Sequence, residues 1–119
     1  MPAWLTALDG DHPGRRVPLK APVLVGRGQY NHIVLDDVRI SRQHAKISPE
    51  AGGHVVYDLN SANGTYVNDV QVKRQKLAPN DVVRFGPFSF KFEAELERFL
   101  KGVDTAAREG ARLAAGAVR

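Results

Sequence analysis

Four short segments of this 119-residue chain concentrate the side chains able to do chemistry: Gly26-Arg27-Gly28, Ser41-Arg42-Gln43-His44, Asn60-Ser61-Ala62-Asn63-Gly64-Thr65 and Asn68-Asp69. Each is dense in Gly, Asn, Ser or Arg and lies between apolar runs. Together they meet the needs of a pocket for a phosphate ester. Such a group carries about −1.5 to −2 charges at neutral pH and presents three acceptor oxygens. An arginine offers a planar donor fork for two of those oxygens. A serine hydroxyl and exposed backbone N–H groups serve the third. Arg27, Arg42 and Ser41 are the suppliers. Asn63 carries both an amide donor and an acceptor, which suits clamping the backbone of an extended peptide.

Other chemistries find less support. Ser41, His44 and Asp58 are the residue types of a hydrolase triad. However, Ser41 sits on no G-x-S-x-G elbow, and no Gly-rich oxyanion loop accompanies it. Gly26-Arg27-Gly28 has Asn31 where a dinucleotide fingerprint needs its third Gly, and it opens no helix. A G-x-x-x-x-G-K-[ST] loop is absent. His12, His32, His44 and His54 are too dispersed for a metal motif, and the chain has no Cys. Neither catalysis nor a metal or cofactor is therefore expected.

The elements that must position these loops read as short strands. Trp4–Leu8 ends at Asp9-Gly10. Val17–Leu19, Val23–Val25 and His32–Leu35 follow. His44–Ile47 alternates and is expected to break at Ser48-Pro49. Val55–Leu59 is the most β-rich run, and Thr65–Val67 and Val70–Val72 flank Asn68-Asp69 as a two-residue hairpin. Asp81–Phe85 and Phe88–Phe92 flank Gly86-Pro87, with Phe88, Phe90 and Phe92 on one face. No helical period interrupts them, so the expected fold class is all-β, an antiparallel sandwich or barrel whose loops converge at one end. After Glu93 the texture changes. Leu96, Phe99, Leu100, Val103, Ala107 and Leu113 recur at helical spacing, weakened by Gly102 and Gly110. Residues 1–93 are thus expected as the β module and 94–119 as a short helical tail or linker.

The apolar fraction of 43% and charged fraction of 25% are those of a soluble globular protein. No apolar run reaches the roughly 20 residues of a membrane helix. Met1-Pro2-Ala3-Trp4-Leu5 does not open a secretion signal, so a cytoplasmic location is the expectation. The net charge of +4 suits an anionic partner. A nucleic acid is not expected, because the aromatic residues alternate inward instead of forming stacking platforms, and no RRM, helix-turn-helix or zinc signature is present. Nor is a membrane partner expected.

In order and spacing, Gly26-Arg27, Ser41-Arg42-Gln43-His44, Asn60-Ser61-Ala62-Asn63-Gly64-Thr65 and Val67-Asn68 resemble the signature of forkhead-associated (FHA) domains, over roughly Trp4 to Phe92. The resemblance implies an FHA/SMAD-like β-sandwich of about eleven strands, binding phosphothreonine peptides through loops at one end. At the matching positions it implies that Arg27 and Ser41 contact the phosphate and that Arg42 is a further phosphate or peptide contact. Asn63 would hydrogen-bond the ligand main chain, with Ala62 and Asn68 beside the peptide path. Gly26, His44, Gly64 and Thr65 would be structural supports, His44 by tying neighbouring loops together.

This sequence departs from the family pattern at two places. Ala62 stands where many members carry Thr or Ser, and a backbone N–H there would have to replace the hydroxyl. Asp69 replaces the usual hairpin Gly and brings a negative charge near the peptide path. Arg39, two residues before Ser41, is expected to meet an acidic ligand side chain on the C-terminal side of the phosphothreonine. The function implied is non-catalytic recognition in Ser/Thr kinase signalling, the partner being a phosphothreonine protein such as a kinase or its substrate. The alternative is an FHA-type scaffold for unphosphorylated partners.

Overall fold

The computed structural model describes residues 2–95. Eleven strands are present: β1 (Ala3–Ala7), β2 (Arg16–Pro18), β3 (Val23–Gly26), β4 (Ile33–Val34), β5 (Ala45–Glu50), β6 (Gly53–Asp58), β7 (Thr65–Val67), β8 (Val70–Val72), β9 (Arg74–Lys76), β10 (Val82–Phe85) and β11 (Phe88–Ala94). They form a six-stranded sheet in the order β2-β1-β11-β10-β7-β8 and a five-stranded sheet in the order β4-β3-β5-β6-β9.

Alternation of side chains along each strand creates the core between the sheets. In β1, Ala3, Leu5 and Ala7 are buried while Trp4 and Thr6 are half-buried on the opposite face. In β10 and β11 the inward residues are Val83, Phe85, Phe90 and Phe92, with Phe88 packed at their margin. Phe85 and Phe90 meet at a centroid distance of 5.8 Å. Val25, Ile47 and Val56 close the core from the second sheet.

Three features differ from the expected strand pattern. β9 was not legible, because Arg74-Gln75-Lys76 is exposed throughout. It exists because the free side of β6 accepts it as an edge, Val55 opposite Lys76 and Tyr57 opposite Arg74. β5 does not break at Ser48-Pro49 but runs on to Glu50, with Pro49 opposite His54. Its pairing with β3 ends at Ile47, so this stretch has β6 on one side only, where a missing N–H is tolerated. Finally, β4 runs parallel to β3, making the second sheet mixed instead of wholly antiparallel. The loop 27–32 carries the chain back alongside β3, and His32 closes it by accepting the Leu24 N–H on Nδ1 at 2.9 Å.

The Asn68-Asp69 hairpin forms as expected. Both residues have positive φ, 50° and 69°, as a type I′ turn requires. Ala94 is the last residue of β11, opposite Ala3. The anticipated helical tail lies outside the described residues.

The register brings five connections to one end of the sandwich: residues 8–15, 27–32, 35–44, 59–64 and 86–87. The 68–69 turn lies at the other end of β7.

Candidate functional site

Gly26 ends β3 with no room for a side chain. A Cβ there would fall 2.2 Å from the Arg42 carbonyl oxygen and 2.8 Å from Asn31 Nδ2. The loop after Gly26 is therefore pressed against residues 40–42. Arg27 N donates to Ser41 O at 2.9 Å and Gly28 N to Arg42 O at 3.3 Å. Asn31, buried at 6% exposure, donates its Nδ2 to both Gly28 O and Arg42 O at 2.8 Å. Sequence reasoning missed Asn31. Nothing in its type or neighbours distinguishes it from an ordinary loop asparagine.

Arg27 is half-buried. Its Nε donates to Ile40 O at 3.1 Å, which fixes the guanidinium plane and leaves the terminal Nη groups for a ligand. Arg42 is exposed, and among the described residues its guanidinium has no hydrogen-bond or salt-bridge partner. The Ser41 hydroxyl accepts the Ala62 N–H at 2.9 Å. The N–H expected to replace a hydroxyl at position 62 is thus engaged within the protein, and Ser41 retains its own proton for donation.

His44 is fully buried. Its Nδ1 accepts the Ser41 backbone N–H at 3.2 Å, so the proton of this tautomer is on Nε2, which donates to Gly64 O at 2.9 Å. The ring lies edge-on to Phe85, with centroids 6.0 Å apart. One imidazole thereby joins the 41–44 loop, the 60–64 loop and the core. The triad types do not assemble. His44 faces the main chain of Ser41, not its hydroxyl, and Asp58 is bonded elsewhere.

Asp58 organises the third loop. Its carboxylate accepts Ser61 N at 3.1 Å, Ser61 Oγ at 2.5 Å and Thr65 Oγ1 at 2.7 Å. Burial pushes this carboxyl up, but the hydrogen bonds from Ser61 and Thr65 together outweigh it and hold the group below the ordinary carboxylate range. Ser61 Oγ also accepts Gly64 N at 2.9 Å. Gly64 has φ +92°, and a Cβ there would meet Gln71 Nε2 at 2.7 Å. Thr65 is fully buried. Of this network, only Gly64 and Thr65 were anticipated from sequence.

Asn63 is exposed and donates Nδ2 to Arg39 O at 2.8 Å, so its Oδ1 remains to accept a ligand N–H. Arg39 does not present a free fork. Its Nε and Nη2 reach Asp37 Oδ1 and Oδ2, both at 2.9 Å, and its backbone N–H donates to Oδ1 at 2.8 Å. The Arg39 side chain and N–H hold the Asp37 carboxyl down at about 2. The expected role of Arg39 toward an acidic ligand thus meets an internal competitor.

Asn68 is set apart from the other named residues. Its amide Nδ2 donates to Asp81 Oδ1 at 3.0 Å and its Oδ1 accepts Val82 N at 2.9 Å, so the side chain locks the start of β10. Among the described residues Asp69 makes only a long approach, 4.0 Å, to Arg84. In sum, Arg27, Ser41, Arg42, Ala62, Asn63 and Arg39 lie on three mutually bonded loops at one end, supported from below by Gly26, His44, Gly64 and Thr65.

Known proteins share this fold. The FHA domain family profile matches residues 23–86. The glycogen accumulation regulator GarA of Mycolicibacterium smegmatis is 41% identical over 91 residues, covering 76% of this chain and 58% of GarA. The oxoglutarate dehydrogenase inhibitor of Corynebacterium efficiens is 38% identical over 93 residues, covering 77% of this chain and 66% of that protein. The chain therefore spans only part of the length of these curated relatives, which are named as a regulator and an inhibitor. A solved FHA domain studied for phosphothreonine-dependent interactions superposes with a TM-score of 0.72 at 34% identity, over 79% of this chain and 97% of its own. Among the described residues no helix is long and apolar enough to cross a membrane. The chain belongs to the FHA domain family.

Proposed function

We propose that this chain reads phosphothreonine on a partner protein in Ser/Thr kinase signalling, by equilibrium recognition without turnover. The observation that carries the reading is the convergence of Arg27, Ser41 and Asn63 on three cross-bonded loops, with donors on Arg27 and Ser41 and an acceptor on Asn63 left over after their internal bonds are made. Arg27 Nη groups and the Ser41 hydroxyl take the phosphate oxygens, and exposed Arg42 adds a second positive charge. Asn63 Oδ1 takes a main-chain N–H of the ligand. Gly26, His44, Gly64 and Thr65 hold the loops, and Asn68 belongs with this structural group.

Residues 1–93 constitute the reader and 94–119 a tail or linker. The partner is a phosphothreonine protein, a kinase or its substrate, met in the cytoplasm, with no nucleic acid, membrane or cofactor involved. The test is a phosphothreonine peptide library, each member paired with its unphosphorylated form, on wild type and Arg27→Ala. Phosphate-dependent binding that Arg27→Ala weakens by about 10- to 100-fold is expected. Equal binding by both proteins overturns the assignment of Arg27.

A further inference from the structure

A cavity of ≈ 280 Å³ opens at the same end of the sandwich, between the β1–β2 and β4–β5 connections. Arg27, Ser41 and Arg42 are not among its lining residues. Its apolar wall comes from Ile33, Leu35, Phe88 and Phe90. Four carboxylates also line it, Asp9, Asp11, Asp36 and Asp37, against one guanidinium, Arg15, and the imidazole of His12.

These carboxylates are not equivalent. Asp9 accepts the Ser89 N–H at 3.0 Å, and Asp37 is engaged by Arg39. The side chains of Asp11 and Asp36 are exposed and have no partner among the described residues. Asp37 also links the cavity to the proposed peptide site, since the Arg39 that it holds gives its carbonyl to Asn63. One loop thus forms the wall of both.

An occupant must combine an apolar stem with a cationic head. Lysine and arginine side chains do so, burying their methylenes while the charge stays near water and facing carboxylates. We propose that this cavity takes a lysine or arginine side chain of the same phosphorylated partner, a proposal that rests on the phosphothreonine reading. The chain's net charge of +4 disfavours basic ligands in general. A gain from one basic residue at one position therefore reports a local site.

Fluorescence anisotropy with the full 119-residue chain tests this. A phosphothreonine peptide is varied one flanking position at a time through Lys, Arg, norleucine, Ala and Glu. At one position Lys or Arg should bind about 3- to 10-fold tighter than Ala and tighter than norleucine. The double substitution Asp11→Asn with Asp36→Asn should remove that gain and leave the Ala peptide unchanged. Asp36→Lys should turn the preference at that position toward Glu. No basic gain at any position, or a gain that survives the double substitution, overturns the proposal. If binding remains phosphate-dependent while this happens, only the cavity assignment falls. If unphosphorylated peptides bind equally, the phosphothreonine reading falls with it.

Discussion

The Ser41 hydroxyl oxygen lies 2.9 Å from the Ala62 nitrogen and accepts its N–H. The bond orients the hydroxyl so that its proton is free to be given to a ligand. It also makes Ser41 both a contact and a tether for the 60–64 loop. Ser41→Ala should therefore weaken phosphopeptide binding by about 10-fold, the loss of one charge-assisted hydrogen bond. Ser41→Thr, which keeps the hydroxyl, should retain more of the affinity. Isothermal titration of both variants with one peptide checks the order.

His44 should matter for stability before it matters for binding. His44→Ala leaves the Ser41 N–H and the Gly64 carbonyl without their partner and opens a hole beside Phe85. A loss of about 2–4 kcal/mol is expected. Urea denaturation measures it, and peptide binding should weaken as the 41–44 and 60–64 loops separate.

Asp58 gives the fold an acid-sensitive joint. Its folded carboxyl binds a proton less readily than an unfolded one. Its contribution is fully present above the ordinary carboxylate value of about 3.9 and is lost as pH falls through the lower folded value. Denaturation midpoints should therefore decline on acidification below about pH 4. Asp58→Asn should be less stable at neutral pH and show a flatter decline in the same series.

Gly26 tests the contact between the first two loops. A methyl group at this position collides with the Arg42 carbonyl, which is main chain and cannot swing aside. Gly26→Ala should cost about 1–3 kcal/mol. It should also displace Arg27 relative to Ser41, so that peptide affinity falls even in the fraction that remains folded. Thermal melting alongside titration separates the two effects.

Much of this architecture was readable from residue patterns. Period-two alternation marked β5 and β11, while turn residues bounded the apolar runs that became β1 and β10. The same signal was silent for β9, which has no buried side chain and is a strand only because β6 is there to pair with. The parallel β3–β4 pair depends on how a six-residue loop folds back, which no local pattern records. That the loops of Arg27, Ser41 and Asn63 meet at one end was legible from the FHA resemblance of their segments. Asn31 and the bonding of Asp58 with Ser61 were not, since burial alone distinguishes them from loop polar residues elsewhere. The Arg39–Asp37 fork escaped notice for a related reason: two opposite charges two residues apart read equally well as solvated. Asn68 was grouped with the peptide path through the Val67-Asn68 match to the FHA signature, and β7 places it at the strand's other end.

The cross-bonding of the three loops has a kinetic consequence. With Arg27, Ser41, Asn63 and His44 already held by main-chain groups of these loops, no loop must be ordered when a ligand arrives. Association should then be a single step, fast and nearly the same for good and poor ligands, at about 10⁵–10⁷ M⁻¹s⁻¹ or above where opposite charges attract. Discrimination among partners will reside in how long each stays.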